Sequence, residues 1–300
     1  MKYQKIKKLL ILSVFVFSSV TVTPFLTNAE EIATVIYPRF QSNKDTRDLD
    51  AVELLETALQ KTLEQYGPFV CKPSELSMKE ERYRNQVKEG KWVNVIWSSV
   101  TKELEDELIP IRIPIRKGLL GYRIFLINKN NKNKFAAIQN IEELKQLSLI
   151  QGRDWNDIKI FRQMGFYVMP ISSYENMFKL INSGRYDYFS RGAYEALTEY
   201  EARHEELPNL FVEEKLLLFY PWPKYFFVSR KFPKLAERIE AGLNIMIQDG
   251  SFDEIFKKYH QHTIQKANLK NRKLFKIKNP LLPETAPVSR KELWFNPFDS

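Results

Sequence analysis

The stretch Ile109–Ile127, IPIRIPIRKGLLGYRIFLI, places three guanidinium groups, Arg112, Arg116 and Arg123, around two glycines, Gly118 and Gly121. A guanidinium is always charged and presents a planar fork of donors that matches a carboxylate or a phosphate bidentately. The chemistry on offer is anion recognition. Isoleucine fills positions 109, 111, 113 and 115, so a period of two sets Arg112 and Arg116 on the face opposite an apolar row. That face either meets solvent or lines a crevice.

Other residue types suggest less. His260 and His262 form an H-x-H pair with no third ligand nearby in sequence, which reads as surface and not as a metal site. Cys71, the only cysteine, lies in a short apolar run and reads as a buried thiol. Glu195 and Glu199 are helical neighbours that read as a charged face. There is no G-x-S-x-G, no phosphate loop and no dinucleotide fingerprint. No cofactor, metal or catalytic group is expected.

The elements that must position the arginines alternate. ATVIY, PFVC and WVNVIWSS read as strands, separated by helical segments such as DLDAVELLETALQKTLEQYG, whose Leu49, Val52, Leu55, Leu59 and Leu63 form one stripe. Beyond Gly121 the pattern restarts with RIFLI, NIEELKQL, LSLIQG, DWNDIKIFRQMG with Asp154 as N-cap, FYVMPI, and SSYENMFKLINSG with a Ser172–Glu175 capping box. RYDYFS and LFVEEKLLLFY follow as strands, then KYFFVSR and two helices. Strand–helix alternation predicts an α/β protein with mostly parallel sheets flanked by helices.

The chain has 300 residues, 44% of them hydrophobic, and a formal charge of +9. Residues 1–29 combine a lysine-rich start, an apolar stretch from Leu9 to about Val22, and Thr27-Asn28-Ala29, the pattern of a secretory signal peptide cleaved near Ala29. Its removal takes away four lysines and no acid, which lowers the charge to +5. Export to the periplasm is the expected address. Nucleic acid is not an expected partner, because no recognition motif accompanies the modest basic excess.

The closing stretch YPWPKYFFVSRKFPKLAERIEAGLNIMIQDGSFDEIFKKY resembles the end of the bacterial extracellular solute-binding proteins of family 3, the amino-acid-transporter type, with the phrase Asp249-Gly250-Ser251-Phe252, Ile255, Lys258-Tyr259. The run from Asn140 to Gly192 resembles that family's second lobe, including a "GR.D" phrase at Gly184–Asp187. The likeness covers about Ile32 to His260. It implies the type II periplasmic-binding fold: two lobes on two crossover strands, with a small-molecule ligand between them. Lobe 1 would comprise residues 30–118 plus 224–265 and lobe 2 residues 119–223. Residues 266–300 would form an extension packing on lobe 1. Gly118, Gly121 and Trp222 would mark the hinges. The partner would be an inner-membrane permease or a sensor receptor, the chain a monomer; a dehydratase of this fold is the enzymatic alternative.

Two departures from the family stand out. Its carboxylate-binding arginine follows a T-x-E phrase, where this chain has Thr101-Lys102-Glu103-Leu104. Its ammonium-binding aspartate lies five residues past the "GR.D" aspartate, where this chain has Gly192, preceded by Arg191. The expected ligand is therefore small, polar and anionic. By the family's loop positions it would be held by Tyr37, Arg39, Trp97, Ser98, Arg112, Arg116, Arg153, Trp155, Arg191 and Tyr220.

Overall fold

The computed structural model describes residues 32–40, 48–78 and 80–299; the expected signal peptide lies outside the described residues. Two sets of strands are built. In the first, β1 (Ala33–Arg39) pairs in parallel with β2 (Phe69–Ser77). The short sheet β3 (Val95–Ser99), β11 (Lys224–Val228) and β4 (Ile109–Ile111) is antiparallel, with β11 in the middle. Asn94 joins the two pieces: its side chain accepts from the Ile36 amide at 2.8 Å and donates to the Thr34 carbonyl at 2.7 Å.

The second set runs β12-β10-β5-β8-β6-β7, with β9 also on β5. Its members are β5 (Tyr122–Asn128), β6 (Leu149–Gly152), β7 (Val168–Ile171), β8 (Tyr188–Gly192), β9 (Leu210–Val212), β10 (Leu216–Phe219) and β12 (Lys273–Lys276). Here β6 is parallel to β7 and β8, whereas β5 opposes β8, β9 and β10. The expected parallel pairing appears in β1–β2, β6–β7, β6–β8 and β10–β12, and the remaining pairs are antiparallel.

Helices cover both faces. In the first set, α1 (Leu49–Lys61), followed by the short α2 (Leu63–Tyr66), packs with α10 (Pro233–Asp249) on one face around Val35, Leu55, Phe226 and Ile239. Gly242 lets α10 press on the α1 backbone: a Cβ there would lie 2.1 Å from the Ala58 carbonyl oxygen. That crossing explains why the buried stripe of α1 is Ala51, Leu54, Leu55, Ala58 and Leu59, while Leu49 and Leu63 stay exposed. The other face carries α3 (Glu80–Glu89) and α4 (Lys102–Glu107). In the second set, α8 (Tyr174–Asn182) and α9 (Ala193–Glu201) lie on one face, while α5 (Lys132–Ala136), α6 (Ile141–Lys145) and α7 (Asp157–Gln163) lie on the other. The last helix, α11 (Ser251–Ala267), starts after the left-handed Gly250, and its Phe256 and Ala267 join the second-set core.

Local chemistry moves several expected boundaries. LFVEEKLLLFY is two strands and not one, because the buried Glu213 carboxylate turns back to accept the Lys215 and Leu216 amides at 2.7 and 2.8 Å. Ser173, not Ser172, caps α8, and α7 starts at Asp157 with Asn156, not Asp154, at its N-cap. The largest difference is the C-terminal extension. Expected on lobe 1, it enters the second sheet instead, with β12 parallel to β10 from Leu216↔Lys273 to Phe219↔Lys276. Only its later part, through Leu282, Leu293 and Trp294, reaches the first-set cores.

Candidate functional site: charged clusters at the crossovers

Arg116 lies between β4 and β5 and is 4% exposed. Its Nε and Nη2 donate to the two Asp50 carboxylate oxygens at 2.5 and 2.6 Å, and Nη2 donates to Asp48 Oδ1 at 2.8 Å. Lys224, at the start of β11, donates to the same Asp48 oxygen at 2.8 Å, and Trp97 adds a further side-chain hydrogen bond to Asp48. His260 of α11 lies 3.0 Å from Asp50 Oδ2. On the far side, Tyr194 at the start of α9 sits 3.4 Å from Arg116 Nη1. One guanidinium thus ties the start of α1 and the first crossover, the link from β4 to β5, to the second-set helix α9; the second crossover is the link from β10 to β11.

These charges hold one another in place. Burial raises the cost of ionising Asp48, Asp50 and Glu195, but neighbouring cations outweigh it and keep all three below the usual carboxylate range. The partners are Lys224 and Arg116 for Asp48, Arg116 and a hydrogen bond from His260 for Asp50, and Arg191, Arg123 and Arg116 for Glu195. A carboxyl more acidic in the folded than in the unfolded chain contributes stability that is complete above about pH 4 and is lost as pH falls toward the folded value. We expect stability to fall steeply below about pH 4, and Asp50→Asn to flatten that acid limb in urea titrations across pH. Parallel acid limbs for the two proteins would contradict it.

A second cluster occupies the ends of β8 and β6. Arg191 donates to Glu199 at 2.5, 2.7 and 3.0 Å and lies 3.2 Å from Glu195. Tyr174 donates to Glu199 at 2.5 Å. The Trp155 ring covers the guanidinium at 4.7 Å and rests on Gly152, where a Cβ would lie 2.5 Å from the indole. On the opposite sheet face Arg123 pairs with Asp157 at 2.9 Å, Tyr220 donates to Asp157 at 2.8 Å, and both Arg123 and Gln151 donate to the Ser190 carbonyl. Three buried atoms there have no protein partner: Arg123 Nε, Gln151 Oε1 and Ser190 Oγ. Buried polar atoms left unpaired are uncommon and are usually met by water or a ligand.

The ten expected ligand residues divide accordingly. Trp97 and Arg116 both bond Asp48, and the Tyr37 ring lies 5.8 Å from Trp97. Trp155 and Arg191 meet at the β8 cluster, and Tyr220 joins Arg123 and Asp157. Arg39 turns to Ser74, Ser98 accepts from Arg84, Arg112 pairs with Glu105, and Arg153 is exposed. Sequence reasoning passed over Asp48, Asp50, Lys224, Tyr194 and Asp157, and it read His260 and Glu199 as surface. Both are buried, each on the carboxylate–guanidinium network. Leu104 explains its own departure: it is buried in the apolar cluster beneath α4, whose first turn Thr101 caps.

The glycines expected to give a hinge its freedom have another reason to be glycine. A Cβ on Gly121 would lie 2.1 Å from the Tyr220 carbonyl oxygen, and one on Gly118 would lie 2.4 Å from the Trp294 ring. The two crossovers run side by side in close contact, with the Ile115 amide donating to the Lys224 carbonyl at 2.9 Å. Only Gly118, at φ 69°, also needs the left-handed region.

Neither a protein-family model nor a curated protein sequence matches the chain. Solved structures do. The probable amino-acid ABC transporter extracellular-binding protein YtmK of Bacillus subtilis superposes with a TM-score of 0.56 at 16% identity, over 77% of this chain and 98% of that one. The fold is that of the solute-binding proteins. An ancestral arginine-binding protein bound to arginine shares this solute-binding fold with a TM-score of 0.51 and 19% identity, over 76% of this chain and 98% of its own. A Salmonella typhimurium periplasmic binding protein with high arginine specificity does so at 0.51 and 11%, over 75% and 98%. Among the described residues of this solute-binding fold, no group of three or more His, Cys, Asp or Glu could hold a metal, and no helix is long and apolar enough to cross a membrane.

Proposed function

We propose that the protein is an exported, periplasmic solute-binding protein that takes a small polar molecule into the crevice between its two lobes and presents it to a membrane permease. The supporting observation is the convergence of buried polar groups at the carboxyl ends of β6 and β8 and at the start of α9, facing the Asp48–Arg116–Lys224 group across the crossovers. Open α/β sheets bind ligands at the carboxyl ends of their strands. The neighbours' names, amino-acid and arginine binders, point the same way.

The charge of the ligand needs revising. Arginines with open forks would favour an anion, but Arg112, Arg116, Arg123 and Arg191 each hold a carboxylate. An incoming anion would have to displace that carboxylate and leave it buried beside a second negative charge, a costly exchange. The reading supported best is a solute with no net charge, zwitterionic or neutral, whose donors and acceptors meet groups such as Gln151 Oε1 and Arg123 Nε.

A thermal-shift screen of the chain from Glu30 onward tests this, since a ligand that binds only the folded state raises the melting temperature by mass action. Zwitterionic amino acids and neutral polar solutes are expected to raise it. Dicarboxylates and inorganic phosphate are not. A shift confined to the anions would overturn the charge assignment, and no shift with any class would overturn solute binding.

A further inference from the structure

The C-terminal extension follows an unusual route. From β12 it runs along the second crossover, where the Ile277 amide donates to the Phe219 carbonyl at 3.0 Å and the Asn279 side chain donates to the Pro221 carbonyl at 2.9 Å. It then crosses to the first set, packing Leu282 beneath β3 and β11 and bonding Thr285 to Glu105 at 2.7 Å. Leu293 enters the α1–α10 core at 1% exposure. Finally it returns to the first crossover. There the Phe295 amide donates to the Lys117 carbonyl at 2.8 Å, Tyr122 donates to the Phe295 carbonyl at 2.9 Å, and the Trp294 ring fills the space beside Gly118.

We infer that residues 277–295 form a strap that fixes the angle between the two lobes and so sets how readily the crevice opens and closes. Hinge bending needs a few backbone positions free to change φ and ψ. In this chain the first crossover has such a position at Gly118, but its open face and the carbonyls of both crossovers, Lys117, Phe219 and Pro221, are taken by one continuous segment anchored in both halves. Lys117 and Gly118 sit at φ 47° and 69°, a conformation that a non-glycine residue such as Lys117 holds only when its surroundings enforce it. The strap supplies that enforcement from the Phe295 side, while the Lys117 ammonium holds Asp253 of α11 at 2.6 Å. Bending at the first crossover would have to pull Trp294 off Gly118 or tear Leu293 from its core. This inference concerns the regulation of the proposed crevice, but its test needs no ligand.

Spin labels at Glu64→Cys and Arg185→Cys, both exposed and one in each lobe, placed in a Cys71→Ser background, report the inter-lobe distance by pulsed electron resonance. The intact chain is expected to give one narrow distribution. Trp294→Ala combined with Phe295→Ala, and separately a chain ending at Pro287, are expected to broaden it about twofold or to add a second distance. If the shortened chain loses its circular dichroism, the double substitution carries the test, since it leaves Leu293 in place. Distributions as narrow as the intact chain's would overturn the strap. So would an intact chain that is already broad. Neither result bears on whether a solute binds, which the thermal-shift screen reads separately.

Discussion

Arg116→Ala is expected to destabilise the protein by about 3–5 kcal/mol, the usual cost of removing one partner from a buried ion pair. The guanidinium is 4% exposed and Asp50 is 3% exposed, so neither charge can turn to water when its partner is lost. Truncation leaves Asp50 with His260 alone and Asp48 with Lys224 and Trp97. Lysine should not rescue it, because one ammonium cannot reproduce the two parallel bonds at 2.5 and 2.6 Å together with the third to Asp48. A double-mutant cycle with Asp50→Ala isolates the pair: the double variant should be clearly more stable than the sum of the two single losses predicts. Urea unfolding measures all four proteins. Strict additivity would mean that Arg116 does not act through Asp50.

The alternation of strands and helices was readable because it is local: apolar runs and the polar turns between them act within a few residues, while the caps at Asp154 and Ser172 were placed only to within one or two positions. The residue types of the site were readable too, since arginine in an apolar setting is conspicuous. What could not be read was what the arginines hold. Asp50 is 66 positions from Arg116, and Lys224 is 176 from Asp48; no spacing rule connects them. The expected anion preference came from that gap, as a paired guanidinium and an open one look alike in sequence. His260 was misjudged through its neighbour His262. Two residues apart on a helix point in different directions, so one is buried against Asp50 and the other exposed. Gly118 and Gly121 also make room for Trp294 and the Tyr220 carbonyl, partners far along the chain that no local spacing rule reaches.

Arg191→Ala should cost a similar amount, about 3–5 kcal/mol, because Glu199 is nearly buried and Glu195 lies within 3.2 Å of the same guanidinium. Here the more informative variant is the double one. Arg191→Met with Glu199→Leu replaces a buried pair by apolar groups of similar length, an exchange that is often neutral or stabilising once both charges are gone. Trp155 and Phe189, which now stack on the guanidinium at 4.7 and 5.2 Å, offer an apolar bed for methionine. Stability should therefore return to within about 1 kcal/mol of the parent, while Tyr174 loses its acceptor and Glu195 keeps Arg123 and Arg116 as cations. If the pair only supports the sheet, solutes that stabilise the parent will stabilise the double variant equally. If it lines the crevice, the variant will melt like the parent and answer to none of them. The second outcome is the expected one, since the pair sits where β8 ends and α9 begins, at the carboxyl edge of the sheet where a solute would meet it.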